Sequence, residues 1–223
     1  MAITIFKDLC LDAADPVALG RFWGRLLGLA DSPDGDGDAV LRGADPHQTI
    51  WVNLVPEPKT VKHRVHLDVW PAPGAEELEG LGARTLSRQE GWTVMADPEG
   101  GEFCVFPGEP RDPADGKRIK SLVVDSADPA RQAAWWAEIL DAEAVAGDGF
   151  WSLRNVPGAP FETWDFVGVS EPKTVKNRWH WDVTGDPADL VRAGAKVLRA
   201  KDDEIAWTVM ADPEDNEFCV FGH

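Results

Sequence analysis

The chain has 223 residues, 43% of them hydrophobic, which is enough apolar material for one large domain or two ordinary ones and rules out an intrinsically disordered chain. A formal net charge of −17 sets an average field that repels nucleic-acid backbones and anionic membrane surfaces, so neither is expected as a partner. No run of eighteen apolar residues occurs and MAITIFKDLCLDAADP lacks the basic and apolar regions of a secretion signal, while Cys10, Cys104 and Cys219 cannot all pair; reduced thiols in a cytoplasmic protein are expected.

In chain order, Ile3 to Asp12 is β-branched and alternating, which predicts a strand. Asp15 then serves as an N-cap with Pro16 at the first helical position. Leu19, Phe22, Trp23 and Leu26 follow at helical spacing, and Gly28 is the stop. DSPDGDGD reads as a turn before two short strands, around Ala39 to Arg42 and Thr49 to Val55. His63 to Val69 alternates as a strand, and Ala75 to Leu81 predicts a short helix ending at Gly82. Trp92 to Ala96 and Glu102 to Phe106 form a hairpin around DPEGG. Gly101 is replaced by Asn216 in a second copy of this hairpin, so a positive φ is expected there.

That second copy is part of a duplication of the whole chain. WTVMADPEGGEFCVF (from Trp92) returns as WTVMADPEDNEFCVF (from Trp207), EPKTVKHRVHLDV (from Glu57) as EPKTVKNRWHWDV (from Glu171), and DLCLDAADP (from Asp8) as SLVVDSADP (from Ser121). Trp51 is matched with Trp164. Asp128-Pro129 and Asp186-Pro187 open the corresponding helices, with Trp135, Trp136, Ile139 and Leu190 on them. PGEPRDPADGKR (Pro107 to Arg118) reads as a solvated linker. The expected organisation is a first domain over residues 1–108 and a second over residues 117–223, each holding two strand-helix-strands units.

Strand alternation separates the faces. Val65, Leu67 and Val69 should pack under a helix, leaving Arg64, His66 and Asp68 opposite; Phe103 and Val105 go to the core, leaving Glu102, Cys104 and Phe106; Leu9 and Leu11 go inward, leaving Asp8, Cys10 and Asp12. A polar set lines one side of the sheet. The bland account of His66 and Cys104 is a hydrogen-bonded histidine and a small apolar filler. A Cys104 nucleophile with His66 as base is a third account that no oxyanion site supports. EPKTVK concentrates Lys59, Lys62 and Arg64 in an acidic chain. Arg64 and Arg178 are expected at the cavity mouth orienting an anionic group, with pairing to surplus surface acids as the alternative. Trp51 and Trp164 are candidates for an aromatic cavity wall, and core filling is the alternative.

Taken in order, the opening strand with ADP, the FW pair and LG, the HLDV strand and the closing DPEGGEF hairpin resemble the vicinal oxygen chelate superfamily, in its glyoxalase-like or bleomycin-resistance-like branch. The resemblance covers nearly the whole chain, twice. It implies an α+β fold of paired βαβββ modules whose strands curve around a cavity. It also implies that metal-using relatives take ligands from the first and last strands of a module. On that resemblance, His66 and His180 fall on the histidine-ligand position, Cys104 and Cys219 stand where a closing glutamate is usual, and Asp8 holds the opening-strand position that Ser121 holds in the other copy. Glu102 and Glu217 are shifted-ligand candidates. Asp8, His66 and Cys104 or Glu102 would then hold one divalent metal (Zn, Mn, Fe or Ni) in the first copy, and the second copy is the likelier degenerate one. A soft sulfur in place of the carboxylate argues against glyoxalase activity proper.

The resulting expectation is a protein binding a small organic ligand, in resistance or sequestration, with Trp51, Arg64, Asp68, Phe106, Trp164, Arg178 and Asp182 at the ligand. The alternative is a metal-dependent lyase or dioxygenase. The expected assembly is a monomer with an internal pseudo-two-fold axis, or a homodimer.

Overall fold

The computed structural model describes residues 2–72, 75–110 and 116–222. Residues 111–115 of the expected linker lie outside the described residues. The N-terminal module of the first copy is β1 (Thr4–Ala13), α1 (Pro16–Leu27), β2 (Ala30–Pro33), β3 (Ala39–Arg42) and β4 (Thr49–Leu54). Its C-terminal module is β5 (Val65–Val69), α2 (Ala75–Gly80), β6 (Arg84–Arg88), β7 (Thr93–Ala96) and β8 (Glu102–Val105). The second copy repeats the order. Its first module is β9 (Ile119–Ser126), α3 (Pro129–Leu140), β10 (Glu143–Ala146), β11 (Phe150–Arg154) and β12 (Phe161–Gly168); its second is β13 (Trp179–Gly185), α4 (Pro187–Arg192), β14 (Lys196–Arg199), β15 (Thr208–Ala211) and β16 (Glu217–Phe221). These are the paired βαβββ modules expected.

The modules do not pair within a copy. Sheet I runs β14-β15-β16-β13-β1-β4-β3-β2 and sheet II runs β10-β11-β12-β9-β5-β8-β7-β6. Each sheet therefore joins the first module of one copy to the second module of the other. The seams are antiparallel, β1 on β13 and β5 on β9.

Asp15 and Asp128 cap α1 and α3, accepting from Ala18 N and Arg131 N, with Pro16 and Pro129 at the first helical positions. Gly28 and Asp141 end those helices in the left-handed region. Trp23 of α1 packs edge-on against Phe103 (5.2 Å) and Trp179 (5.0 Å); Trp136 of α3 meets Phe218 (5.2 Å), Trp181 (5.5 Å) and Trp164 (4.9 Å). One continuous core thus lies between helices and both sheets. Removing either helical tryptophan would cost about 3–5 kcal/mol by cavity formation.

Two expectations need correction. DSPDGDGD is not all turn: Ala30–Pro33 is an edge strand with no buried residue, so its sequence carries no apolar alternation to reveal it. The positive φ in the hairpins belongs to Gly100 (86°) and Asp215 (65°), not to Gly101 and Asn216. Gly101 is small for another reason. A Cβ there would lie 2.6 Å from Asp97 Oδ2 and 2.7 Å from His63 Cε1. In the other copy His63 is replaced by Asn177, whose Nδ2 donates to Asn216 Oδ1 at 3.0 Å. The two positions exchange together because one volume holds either an imidazole or two carboxamides.

The repeated acids of the hairpin turns are structural. Asp97 Oδ1 accepts from Glu99 N and Gly101 N, and Asp212 Oδ1 from Glu214 N and Asn216 N. Glu99 accepts from Ala14 N and Asp15 N, and Glu214 from Ala127 N and Asp128 N, which satisfies backbone donors at the starts of α1 and α3.

Candidate functional site

Register decides which side chains meet on the polar face of each sheet. In sheet II, Asp68 lies opposite Ser121 and His66 opposite Val123, while Cys104 stands beside Asp68 on β8. In sheet I, Asp182 lies opposite Asp8 and His180 opposite Cys10, with Cys219 beside Asp182. Asp8 is therefore not a neighbour of His66. The Asp8, His66, Cys104 set expected within the first copy is divided between two sheets, because the modules exchange partners. Asp8 belongs with His180, Asp182 and Cys219 (site I), and Ser121 with His66, Asp68 and Cys104 (site II). It follows that neither copy owns a site that could degenerate alone.

In site II the ligand-type atoms of His66, Asp68 and Cys104 all lie within 4.8 Å of one another. Asp68, expected at the organic ligand, is thus also a member of the metal-ligand cluster. Burial holds the His66 imidazole down to about 4, with the Lys62 charge adding to it, so the ring is neutral at pH 7. Burial raises Asp68 to about 6 against the opposing pull of Lys120. Burial, then the Asp68 charge, pushes the Cys104 thiol up to about 12. A protonated Cys104 beside a neutral imidazole is poorly suited to nucleophilic attack. Lys120 Nζ is 3.7 Å from Asp68 Oδ2, Ser121 Oγ is 2.9 Å from Thr163 Oγ1, and Ser152 Oγ donates to Asp165 at 2.5 Å. An N, O and S donor set of this kind fits a borderline ion such as zinc better than a hard cation, and binding would have to expel the Cys104 proton.

Site I repeats the His180, Asp182, Cys219 floor with a different wall. Burial and then the Lys7 charge act in opposition on Asp182, which is raised to about 7; burial holds His180 down to about 4. Cys10 is buried and its thiol is pushed well up, mainly by burial and then by Asp182. Lys7 bonds Asp8, whose Oδ2 also accepts from Trp51 Nε1 at 3.0 Å. All three cysteines are free.

Lys7 and Lys120 carry no motif and are missed by sequence reasoning. Each sits in a register shift of its seam, between Phe6 and Asp8 and opposite the Asp68/Val69 step. Such a bulge lets consecutive residues serve one face. Lys120 Nζ lies 4.4 Å from the Phe106 ring centroid and Lys7 Nζ 4.5 Å from that of Phe221. Trp92 stacks on Phe106 (5.9 Å) and Trp207 on Phe221 (5.5 Å). Each polar face is thus flanked by an indole, a phenyl ring and an ammonium.

Other expected residues are placed elsewhere. Trp164 is wholly buried in the core, while Trp51 is half-buried on the polar face of site I. Leu9 lies opposite Ile50, and Leu122 opposite Trp164, so the residue equivalent to Trp51 is Asp165. Trp164 stands one residue out of register with Trp51 and so faces the core, not the polar face. Glu102 accepts from Lys59 Nζ and His63 N, both at 3.0 Å, and Glu217 from Lys173 Nζ (2.6 Å) and Asn177 N (3.1 Å). Both carboxylates are engaged in holding the EPKTVK loops rather than free as shifted ligands. Arg64 donates to Glu171 O (2.6 Å) and Asp125 O (2.9 Å); Arg178 donates to Glu57 O (2.7 Å), Asp12 O (3.0 Å) and Glu99 Oε2 (3.1 Å). Their guanidinium groups tie one copy to the other, and they line a cavity between the loops rather than either polar face.

The comparisons with known proteins accord with this architecture. The Glyoxalase-like domain model matches residues 8–106 and again residues 121–221. The fold is similar to that of glyoxalase I from Zea mays (TM-score 0.68, 11% identity, covering 97% of this chain and 92% of that one). It is also similar to a putative dioxygenase from Bacillus subtilis (0.57, 12%, 99% and 86%) and to the cppA protein from Streptococcus pneumoniae (0.53, 13%, 100% and 100%). Likeness at that identity concerns fold alone. No functionally curated protein matches the sequence. Because the family model spans both halves, the chain belongs to the glyoxalase-like domain family of the vicinal oxygen chelate superfamily, as two tandem copies.

Proposed function

We propose that the chain binds a small organic molecule bearing an acid group or adjacent oxygen atoms on the polar face of sheet II, in a sequestering or resistance role. The observation that carries this reading is the Lys120 ammonium, set by a bulge over the Phe106 ring and beside Asp68 and Ser121, whose hydroxyl meets that of Thr163. Lys120 would meet ligand oxygens, the Trp92–Phe106 stack would cover an aromatic body, and Ser121 and Thr163 would supply hydroxyls. Titration of Trp92 fluorescence with aromatic carboxylates and catechols tests it. Saturable quenching that Lys120→Ala weakens at least tenfold is the expected outcome, and quenching insensitive to Lys120 overturns it.

A second reading, a metal-dependent lyase or dioxygenase, is favoured by the convergence of His66, Asp68 and Cys104. The structurally similar proteins include glyoxalase I from Zea mays and a putative dioxygenase from Bacillus subtilis. A bound metal would polarise ligand oxygens; His66, Asp68 and Cys104 would hold it, with Lys120 and Ser121 orienting the ligand. Elemental mass spectrometry on protein purified without chelator decides between the readings: about one metal per chain, lost in His66→Ala, would put the second in front.

Because one chain supplies both partners of each sheet, a monomer with an internal pseudo-two-fold axis is the proposed assembly. The three free thiols support a reducing, cytoplasmic setting. Among the described residues no helix is long and apolar enough to cross a membrane.

A further inference from the structure

A cavity of about 1160 Å³ lies between the two EPKTVK loops, apart from both polar faces. Its walls repeat across the pseudo-two-fold axis: Val55 with Val169, Val61 with Val175, Lys62 with Lys176. The six residues EPKTVK are identical in the two copies, whereas sites I and II differ at Asp8/Ser121, Cys10/Val123 and Trp51/Asp165. Scaffolding accounts for part of that identity, since Lys59 and Lys173 bond Glu102 and Glu217. It does not account for Val61 and Val175, which are 41% and 43% exposed yet serve as cavity wall.

The chain carries 22 basic and 39 acidic side chains, but this lining holds Lys59, Lys62, Arg64, Lys176 and Arg178 against Asp12, Glu57, Asp125 and Glu171. Five basic and four acidic side chains make this lining far less acidic than the chain as a whole, which lowers the repulsion an organic anion meets there. Lys62 pairs with Asp125 at 2.8 Å and Lys176 with Asp12, and both lysine side chains remain more than half exposed. Another lining residue, His63, is buried with neither ring nitrogen hydrogen-bonded. We propose that this cavity binds an amphipathic organic anion, its apolar body between Val61 and Val175 and its acid group on Lys62 or Lys176. The site goes beyond the polar-face reading and does not depend on it.

The test is fluorescence titration of the full chain with 8-anilinonaphthalene-1-sulfonate, with near-ultraviolet circular dichroism confirming native packing. The expected result is one dye per chain, weakened at least tenfold by Val61→Asp with Val175→Asp and about fivefold by Lys62→Gln with Lys176→Gln. Dye held on the polar faces is removed by Phe106→Ala with Phe221→Ala, and the stoichiometry and the losses are read in that background. If the aspartate pair fails to fold, Val61→Thr with Val175→Thr replaces it, with a threefold or greater loss expected. Absence of dye binding, binding indifferent to the valine pair, or binding abolished by the phenylalanine pair would each overturn the site. Equal affinity for neutral Nile red, indifferent to the lysine pair, would overturn the anionic class.

Discussion

Sites I and II have the same floor and different walls. His180, Asp182 and Cys219 repeat His66, Asp68 and Cys104 on matching strands, and Lys7 with Phe221 repeats Lys120 with Phe106. The difference comes from the strands contributed by the other copy: Asp8, Cys10 and Trp51 in site I, Ser121, Val123 and Asp165 in site II. Duplication followed by exchange of modules makes every site a hybrid, so a substitution in either copy alters one site and leaves the other floor intact. A two-site protein can diversify this way without losing the shared core.

The largest expected effect breaks the tie that makes the sites hybrids. Arg178→Ala removes buried charge-assisted bonds to Glu57, Asp12 and Glu99, and should cost about 3 kcal/mol in urea denaturation. Arg64→Ala, with bonds only to two carbonyls, should cost less. Equal losses would show that the two loops do not differ as described.

Acid titration sharpens the comparison next. Burial raises Asp182 to about 7 and Asp68 to about 6 in the folded protein, from an ordinary value near 3.8. A raised carboxyl favours the fold below pH 3.8, and that contribution is lost as pH climbs through the folded value. Asp182→Asn should therefore gain stability over the wild type between pH 4 and 8, on the order of 2 kcal/mol. Asp68→Asn should gain less and be level by about pH 7. The buried histidines act in the opposite sense: held at about 4, they withdraw stability as pH falls from 6.5 toward 4. Thermal melts across this range read both.

Exchange of one volume between copies gives a smaller effect. Gly101→Asn alone meets His63 and Asp97 and should cost about 2 kcal/mol by overpacking. Adding His63→Asn should restore most of it, a coupling that a double-mutant cycle measures directly.

Smaller again, Ser121→Asp would give site II the carboxylate that site I has. It should raise zinc affinity about tenfold, or about 1.4 kcal/mol, in a chelator competition. Unchanged affinity would remove the opening strand from the metal set.

Much of the fold was legible in the residues. Asp15-Pro16 and Asp128-Pro129 mark helix starts by local hydrogen bonding, and the alternation of VHLDV and EFCVF sorts core from polar face because both follow from chain geometry alone. The exposed edge strands Ala30–Pro33 and Lys196–Arg199 were not legible, since nothing on them is buried. Nor was the face of Trp164, where one residue of register reverses every side chain.

The amino-acid sequence by itself determined the duplication, the βαβββ modules and the identity of the His, Asp and Cys groups on each polar face. Tertiary structure alone decided that Asp8 joins His180 and that Ser121 joins His66. It also decided that Lys7 and Lys120 turn onto those faces and that the two EPKTVK loops enclose a cavity. Local pattern constrains a strand's faces, but which strands pair across a seam, and where a bulge interrupts it, depends on packing between segments fifty or more residues apart.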